Sequence, residues 1–119
     1  MQERRDRINV AEVRAAFDTL VEAFVHDPRI EVAFGPTGAR PGQKMDVRFY
    51  KDGDQGFAFI PTAEWLLFYI RKPELKHGRL SLDTVRAVFP EAETNPSGEI
   101  VFRIRSKAGA FHAAAFICE

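Results

Sequence analysis

The chain contains 119 residues, of which 45% are hydrophobic and 29% are charged, and its 17 basic and 17 acidic side chains leave no formal net charge. This composition predicts one folded domain over residues 1–119 and excludes a disordered chain. The lack of net charge argues against attraction to nucleic acid or to an acidic membrane through bulk charge. One cysteine permits no intramolecular disulfide, and the longest apolar run is too short to span a bilayer. We therefore expect a cytoplasmic protein without a membrane-spanning segment.

The first predicted element is a helix that follows a flexible, polar lead-in of residues 1–8. Asn9 is the predicted N-cap, because Glu12 stands three residues later and can bond back to it in a capping box. The helix is expected to end at Asp27, since Pro28 disfavours helical backbone in the residue before it. Apolar residues recur at helical spacing and predict one buried face: Val10, Val13, Phe17, Leu20, Val21 and Phe24.

Alternating apolar and polar residues then predict three strands, over residues 30–34, 45–50 and 57–60. Residues 35–42 hold three glycines and two prolines and predict a loop. Residues 52–56 predict a hairpin turn, because Asp-Gly tolerates the positive φ that such turns need. The apolar run over residues 65–70 is rich in aromatic residues and predicts a fourth strand, with a buried helix over residues 62–70 as the alternative. The four strands together predict an antiparallel meander.

Polar segments separate short apolar ones in the second half of the chain. Ser81 is the predicted N-cap of a short helix that ends before Pro90, and residues 100–105 alternate as a fifth strand. Residues 107–118 are rich in alanine and predict a final helix, with a strand as the alternative. Polar loops are expected over residues 72–78 and 91–98.

The order of these elements predicts an α+β fold. It consists of a helix, an antiparallel meander of about four strands, a helix, a fifth strand and a C-terminal helix, with one layer of helices against one sheet. Eleven phenylalanines can bury large apolar areas, so the core needs no disulfide or metal. The expected core residues are Phe17, Leu20, Phe24, Val47, Phe49, Phe59, Leu67, Val85, Phe89, Phe102 and Ile104.

No motif in the sequence predicts a catalytic residue, a cofactor or a metal ion. Asp52-Gly53-Asp54 resembles the start of a calcium loop, but Phe57 and Ala63 stand where that loop needs glycine and glutamate. Cys118 lies six residues after His112, which places the two on different faces of a helix and provides no oriented base. No two histidines have metal-ligand spacing among His26, His77 and His112.

Basic residues cluster after the predicted fourth strand and along the predicted fifth. If these two strands are neighbours, the basic groups would merge into one surface beside the aromatic residues of the fourth strand, and such a surface suits phosphate backbones and stacked bases. The alternative is that the same side chains only cover the open face of the sheet and protect its edge. The candidate macromolecule-binding residues are Arg71, Lys72, Lys76, His77, Arg79, Arg103, Arg105 and Lys107.

Three functions from different classes fit these observations. The favoured one is a small, non-catalytic interaction or regulatory protein that binds another macromolecule, in the first place a protein, with contacts on the 35–42 loop or on the acidic face of the first helix at Glu12, Asp18 and Glu22. The first alternative is a nucleic-acid-binding module that uses the basic residues. The second is a small metal-dependent hydrolase that pairs an aspartate or glutamate with His77 or Lys76. The sequence predicts no oligomeric state.

Overall fold

The computed structural model describes residues 8–34, 46–51, 53–76, 78 and 80–118. Over these residues the chain forms helices α1 (Ala11–Val25), α2 (Lys72–Leu75), α3 (Leu82–Arg86) and α4 (Lys107–Cys118). The strands are β1 (Ile30–Phe34), β2 (Val47–Lys51), β3 (Asp54–Pro61), β4 (Leu66–Ile70), β5 (Glu93–Thr94) and β6 (Ile100–Ile104). The predicted α+β class is confirmed. The 65–70 segment contains strand β4 and residues 107–118 form helix α4. The alternatives, a helix at the first position and a strand at the second, are therefore wrong.

The six strands form one antiparallel sheet in the order β1-β2-β3-β4-β6-β5. The first four strands make the predicted meander, and Gly53 between β2 and β3 has a φ of 83°, as a tight hairpin turn requires. The chain then crosses to place β6 beside β4, with Leu66 opposite Ile104 and Ile70 opposite Ile100. This pairing makes β4 and β6 the neighbours on which the candidate surface is built.

Alternation along the strands turns one face of the sheet, the inner face, towards the helices. Phe17 of α1 meets Phe59 of β3 edge-on at 5.6 Å between ring centroids. Phe102 of β6 stacks on Phe89 at 4.1 Å and meets Phe116 of α4 at 6.2 Å. Helices α1, α3 and α4 all contribute buried residues to the cluster on this face. The predicted single layer of helices against one sheet is therefore present.

The predicted core is confirmed with one exception. Leu67 is only half-buried, because Leu66, Phe68 and Ile70 are the β4 residues that face the helices. Phe89 is partly exposed but packs against the buried cluster. The run over residues 65–70 is apolar at every position, so its sequence alternation does not reveal which side chains face inward.

The start of α1 differs from the prediction. Val10 takes the N-cap position and no side chain caps the helix, so the predicted capping box with Asn9 is wrong. The Asn9 backbone N–H instead donates to the Ala63 carbonyl at 2.8 Å, which ties this segment to the turn before β4. Ile8 is fully buried, so the flexible lead-in does not extend to it. Residues 1–7 lie outside the described residues.

Two predicted loops contain short regular elements. Helix α2 occupies the start of the predicted 72–78 loop, with Pro73 in its first turn, where a proline needs no N–H partner. Glu74 is buried in this helix. Strand β5 lies within the predicted 91–98 loop and consists of only Glu93 and Thr94, paired to β6. None of the described helices has the length and apolar character to cross a bilayer.

Candidate interaction surface

An apolar strip runs along the face of the sheet opposite the helices, here called the outer face. In β4, Leu67 and Tyr69 alternate with the buried residues and point to the outer face, where both are half-buried. The register places Leu67 between Ile60 of β3 and Arg103 of β6, and it places Tyr69 opposite Val101. We call this strip the outer patch and define it as Ile60, Trp65, Leu67, Tyr69 and Val101.

Trp65 lies at the end of the outer patch, held by a turn and by two arginines. The Thr62 hydroxyl donates to the Trp65 carbonyl at 2.8 Å and accepts the Trp65 N–H at 3.2 Å. The guanidinium carbons of Arg103 and Arg105 lie 5.0 and 5.7 Å from the centroid of the Trp65 ring, within the range of cation–π attraction. The indole is therefore preorganised, while Trp65 remains part-exposed.

The arginines around the outer patch are mostly neutralised by carboxylates. Arg48 of β2 donates to Asp46 at 2.7 Å, and this hydrogen bond raises the pKa of the Arg48 guanidinium. Arg71 pairs with Glu99, and Arg105 pairs with Glu91 at 3.0 Å. Within the described ranges no carboxylate pairs with Arg103. Among the residues that the structure describes, the surface is thus an apolar strip with a nearly neutral rim in which Arg103 is the arginine without a carboxylate partner.

The Arg71–Glu99 pair is built into the hairpin between β5 and β6. The Asn95 side-chain oxygen accepts the backbone N–H groups of Ser97 at 3.0 Å and Glu99 at 2.9 Å, which closes the turn. The Asn95 amide also approaches the Glu99 carboxylate at 3.4 Å. The carboxylate is therefore held at a fixed place beside Tyr69.

This environment raises the pKa of Tyr69, first through burial and second through the Glu99 carboxylate, while Arg71 acts in the opposite direction. The fold therefore favours the neutral phenol. The resulting stabilisation is complete below the unfolded pKa of about 10 and is lost as the pH rises through the higher folded pKa.

The pKa of Tyr69 can be measured in the Tyr50→Phe variant, where Tyr69 is the remaining one of the two tyrosines of the chain. We expect its absorbance titration near 295 nm to have a higher midpoint in the folded protein than in urea; an equal or lower midpoint would contradict this environment.

The predicted basic residues do not form one surface. Arg103 and Arg105 lie at the end of β6 beside Trp65, and Lys107 follows at the start of α4 over the Phe111 ring. The other described members, Arg71, Lys72 and Lys76, lie at the far end of β4. Because β4 and β6 are antiparallel, their carboxyl ends are about 17 Å apart, the length of a five-residue strand. His77 and Arg79 lie outside the described residues.

The predicted catalytic alternatives receive little geometric support. Glu74, the acidic residue nearest to Lys76 in the sequence, is buried against Gly56, where an added methyl group would lie 3.1 Å from the Glu74 Cβ. His26 follows the last residue of α1 and His112 lies on α4, and both are exposed. No group of three or more potential metal ligands occurs among the residues that the structure describes. Asp52 and the Cys118 side chain lie outside those residues.

The aromatic residues Trp65 and Tyr69 were predicted to lie beside a surface, whereas Ile60, Leu67 and Val101 were not predicted to be part of one. One signal for them was present: Trp65 and Tyr69 carry polar atoms, which favour part-exposed positions, whereas Phe68 between them has none. Leu67 lies two residues from each of Trp65 and Tyr69, so the alternation of a strand places it on the same, part-exposed face. Val101 and Ile60 join the patch only through strand register.

No protein-family model matches the chain, and neither a curated protein nor a solved structure matches it. Its function is therefore inferred from the side chains of this surface.

Proposed function

We propose that this chain is a small, non-catalytic interaction protein that binds another protein through the outer patch. The observation that carries the proposal is a half-buried apolar strip on the sheet face opposite α1, α3 and α4, with Trp65 fixed between Arg103 and Arg105. Tryptophan, tyrosine and arginine are the residues that dominate the binding energy of protein interfaces. Their preorganisation by the sheet lowers the ordering entropy that binding costs.

The charges of the surface define the chemistry of the partner. An apolar strip favours a partner with an apolar centre, because burial of such area drives association. Arg103 lacks a paired carboxylate among the described residues and favours an acidic residue of the partner beside that centre. The arginines paired with Asp46, Glu91 and Glu99 form a polar rim. Complementary charges at the rim of an interface contribute specificity and association rate more than affinity.

A nucleic-acid partner is the second candidate, favoured by one observation. Trp65 lies beside two arginines, a combination that serves base stacking and phosphate contact. Its support is weaker, because most arginines near the outer patch are paired with carboxylates and the basic residues are divided between two ends of β4. A phosphate backbone is held by unpaired cations spread along its length.

A cytoplasmic setting is part of the proposal. It is supported by the single cysteine of the chain, which permits no intramolecular disulfide.

The acidic side chains of α1 provide a competing contact surface, with Glu12 and Glu22 exposed. The experiment must therefore distinguish the outer patch from α1 as well as protein from nucleic acid.

The test is an affinity capture of the tagged 119-residue chain from a lysate of its source cells, with and without nuclease. We expect a stoichiometric protein that survives nuclease and is released by a substitution in the outer patch. Material that disappears with nuclease would favour the nucleic-acid candidate. A captured protein that is released by Glu22→Lys on α1 but not by an outer-patch substitution would contradict the proposed surface.

A further inference from the structure

The β6 strand has an open edge next to Arg103. Strand β5 covers β6 only at Ile100 and Val101, which pair with Thr94 and Glu93. Beyond Val101, no described residue forms a β-bridge with this side of β6. The open edge therefore lies beyond Glu93, the first residue of β5, and extends to the end of β6 nearest Trp65.

The backbone groups of Arg103 point to this open edge. In an antiparallel strand, every second residue directs its N–H and C=O groups to the same neighbour. The Glu99 carbonyl accepts the Asn95 N–H at 2.9 Å on the β5 side. Val101 pairs with Glu93 on that side, and the alternation places the Arg103 N–H and C=O there as well. They are a donor and an acceptor in position for a further strand.

A cleft of about 340 Å³ lies along this edge. Its lining residues come from the segment after α3 and from the end of β6: Val88, Phe89, Pro90, Glu91, Phe102, Arg103 and Arg105. The segment before β5 turns at Ala92, whose N–H donates to the Phe89 carbonyl at 2.9 Å and whose carbonyl accepts from Arg86 at 2.9 Å. These two bonds tie together the segment that forms one wall of the cleft.

We propose that the cleft binds an extended acidic peptide segment of the partner protein, which adds a strand to the open edge of β6. The Arg103 backbone would bond the peptide backbone, as in other cases of strand addition to an exposed edge. An apolar peptide side chain would contact Val88 and Phe89, and a carboxylate on the adjacent peptide residue, which points to the opposite face, would reach the Arg103 guanidinium on the outer face. The inference rests on the proposed function in that the ligand belongs to a protein partner.

The test uses a displayed library of random linear peptides of about ten residues, selected on the immobilised 119-residue chain. Enriched peptides are expected to combine acidic and apolar residues. Their affinity is compared between Arg103→Pro and Arg103→Ala, which both remove the side chain, while only proline removes the backbone donor at a position where a sheet edge tolerates it. We expect binding to Arg103→Pro to be about tenfold weaker than binding to Arg103→Ala, the effect of one lost hydrogen bond.

A second measurement needs no variant and remains valid if Arg103→Pro fails to fold. Backbone amide exchange in the wild-type chain should slow at Arg103 when the selected peptide binds. Failure to enrich any peptide, or equal affinity of the two variants, would overturn the proposal. Peptides that require the outer patch but leave Arg103 amide exchange unchanged would support the proposed function and overturn strand addition. Slow Arg103 exchange that depends on the concentration of the chain alone would assign the edge to a second copy instead.

Discussion

Replacing Phe102 with alanine is expected to destabilise the fold by about 3–5 kcal/mol, the usual cost of removing a buried phenylalanine ring. The Phe102 ring is 3% exposed and lies where three elements meet. It stacks on Phe68 of β4 at 5.0 Å and on Phe89 at 4.1 Å, and it contacts Phe116 of α4 edge-on. Its removal would leave a cavity between the sheet, α4 and the segment after α3, and urea denaturation at fixed pH measures the change in the free energy of unfolding.

The matched control is Phe111→Ala, the same substitution at a ring that is 57% exposed on α4. Its free energy of unfolding should stay within about 0.5 kcal/mol of the wild type, as for other exposed positions. Comparable losses at both positions, or an unchanged stability in Phe102→Ala, would show that the inner face of β6 is wrongly assigned.

Leu67→Glu is expected to weaken capture of the protein partner by more than about 30-fold, the effect of losing a central interface contact. Leu67 lies in the middle of the outer patch, between Ile60 and Arg103. A carboxylate there would interrupt the apolar strip and pair with Arg103, which has no carboxylate partner among the described residues. Such a cross-strand pair is compatible with the sheet, so the variant should remain folded.

The control for charge is Ala23→Glu, which adds the same carboxylate at an exposed position of α1. Its capture of the partner should equal that of the wild type, and the thermal unfolding of both variants should verify their folds. Equal losses in Leu67→Glu and Ala23→Glu would indicate a general effect of charge and would contradict a specific role for the outer patch.

The inner faces of most strands could be predicted from the sequence, because alternation fixes which residues share a face. Val47 and Phe49, like Phe102 and Ile104, are buried as predicted. Leu67 could not be placed, because its strand is apolar at every position and the partner strands decide its face. Strand β5 could not be predicted either, since two polar residues become a strand only by pairing with β6.

The candidate surface was only partly predictable. Arg103 and Arg105 were named from the sequence, and the condition set for a shared surface, that β4 and the following long strand are neighbours, is met. Their separation from Arg71 depends on strand direction: parallel strands would have brought the two carboxyl ends together, and the antiparallel pairing sets them apart. The contact of Trp65 with both arginines is likewise a product of register, which no local pattern encodes.

Site-specific photo-crosslinking in the source cells tests the central proposal, that the outer patch holds a protein partner, most directly. The photoreactive residue p-benzoylphenylalanine replaces Tyr69 in the outer patch and, in a matched chain, Phe111 on α4. We predict one discrete adduct from position 69 that protease removes and nuclease does not, and no such adduct from position 111. An adduct from position 111 alone, a nuclease-sensitive adduct, or no adduct from position 69 would contradict the proposed function.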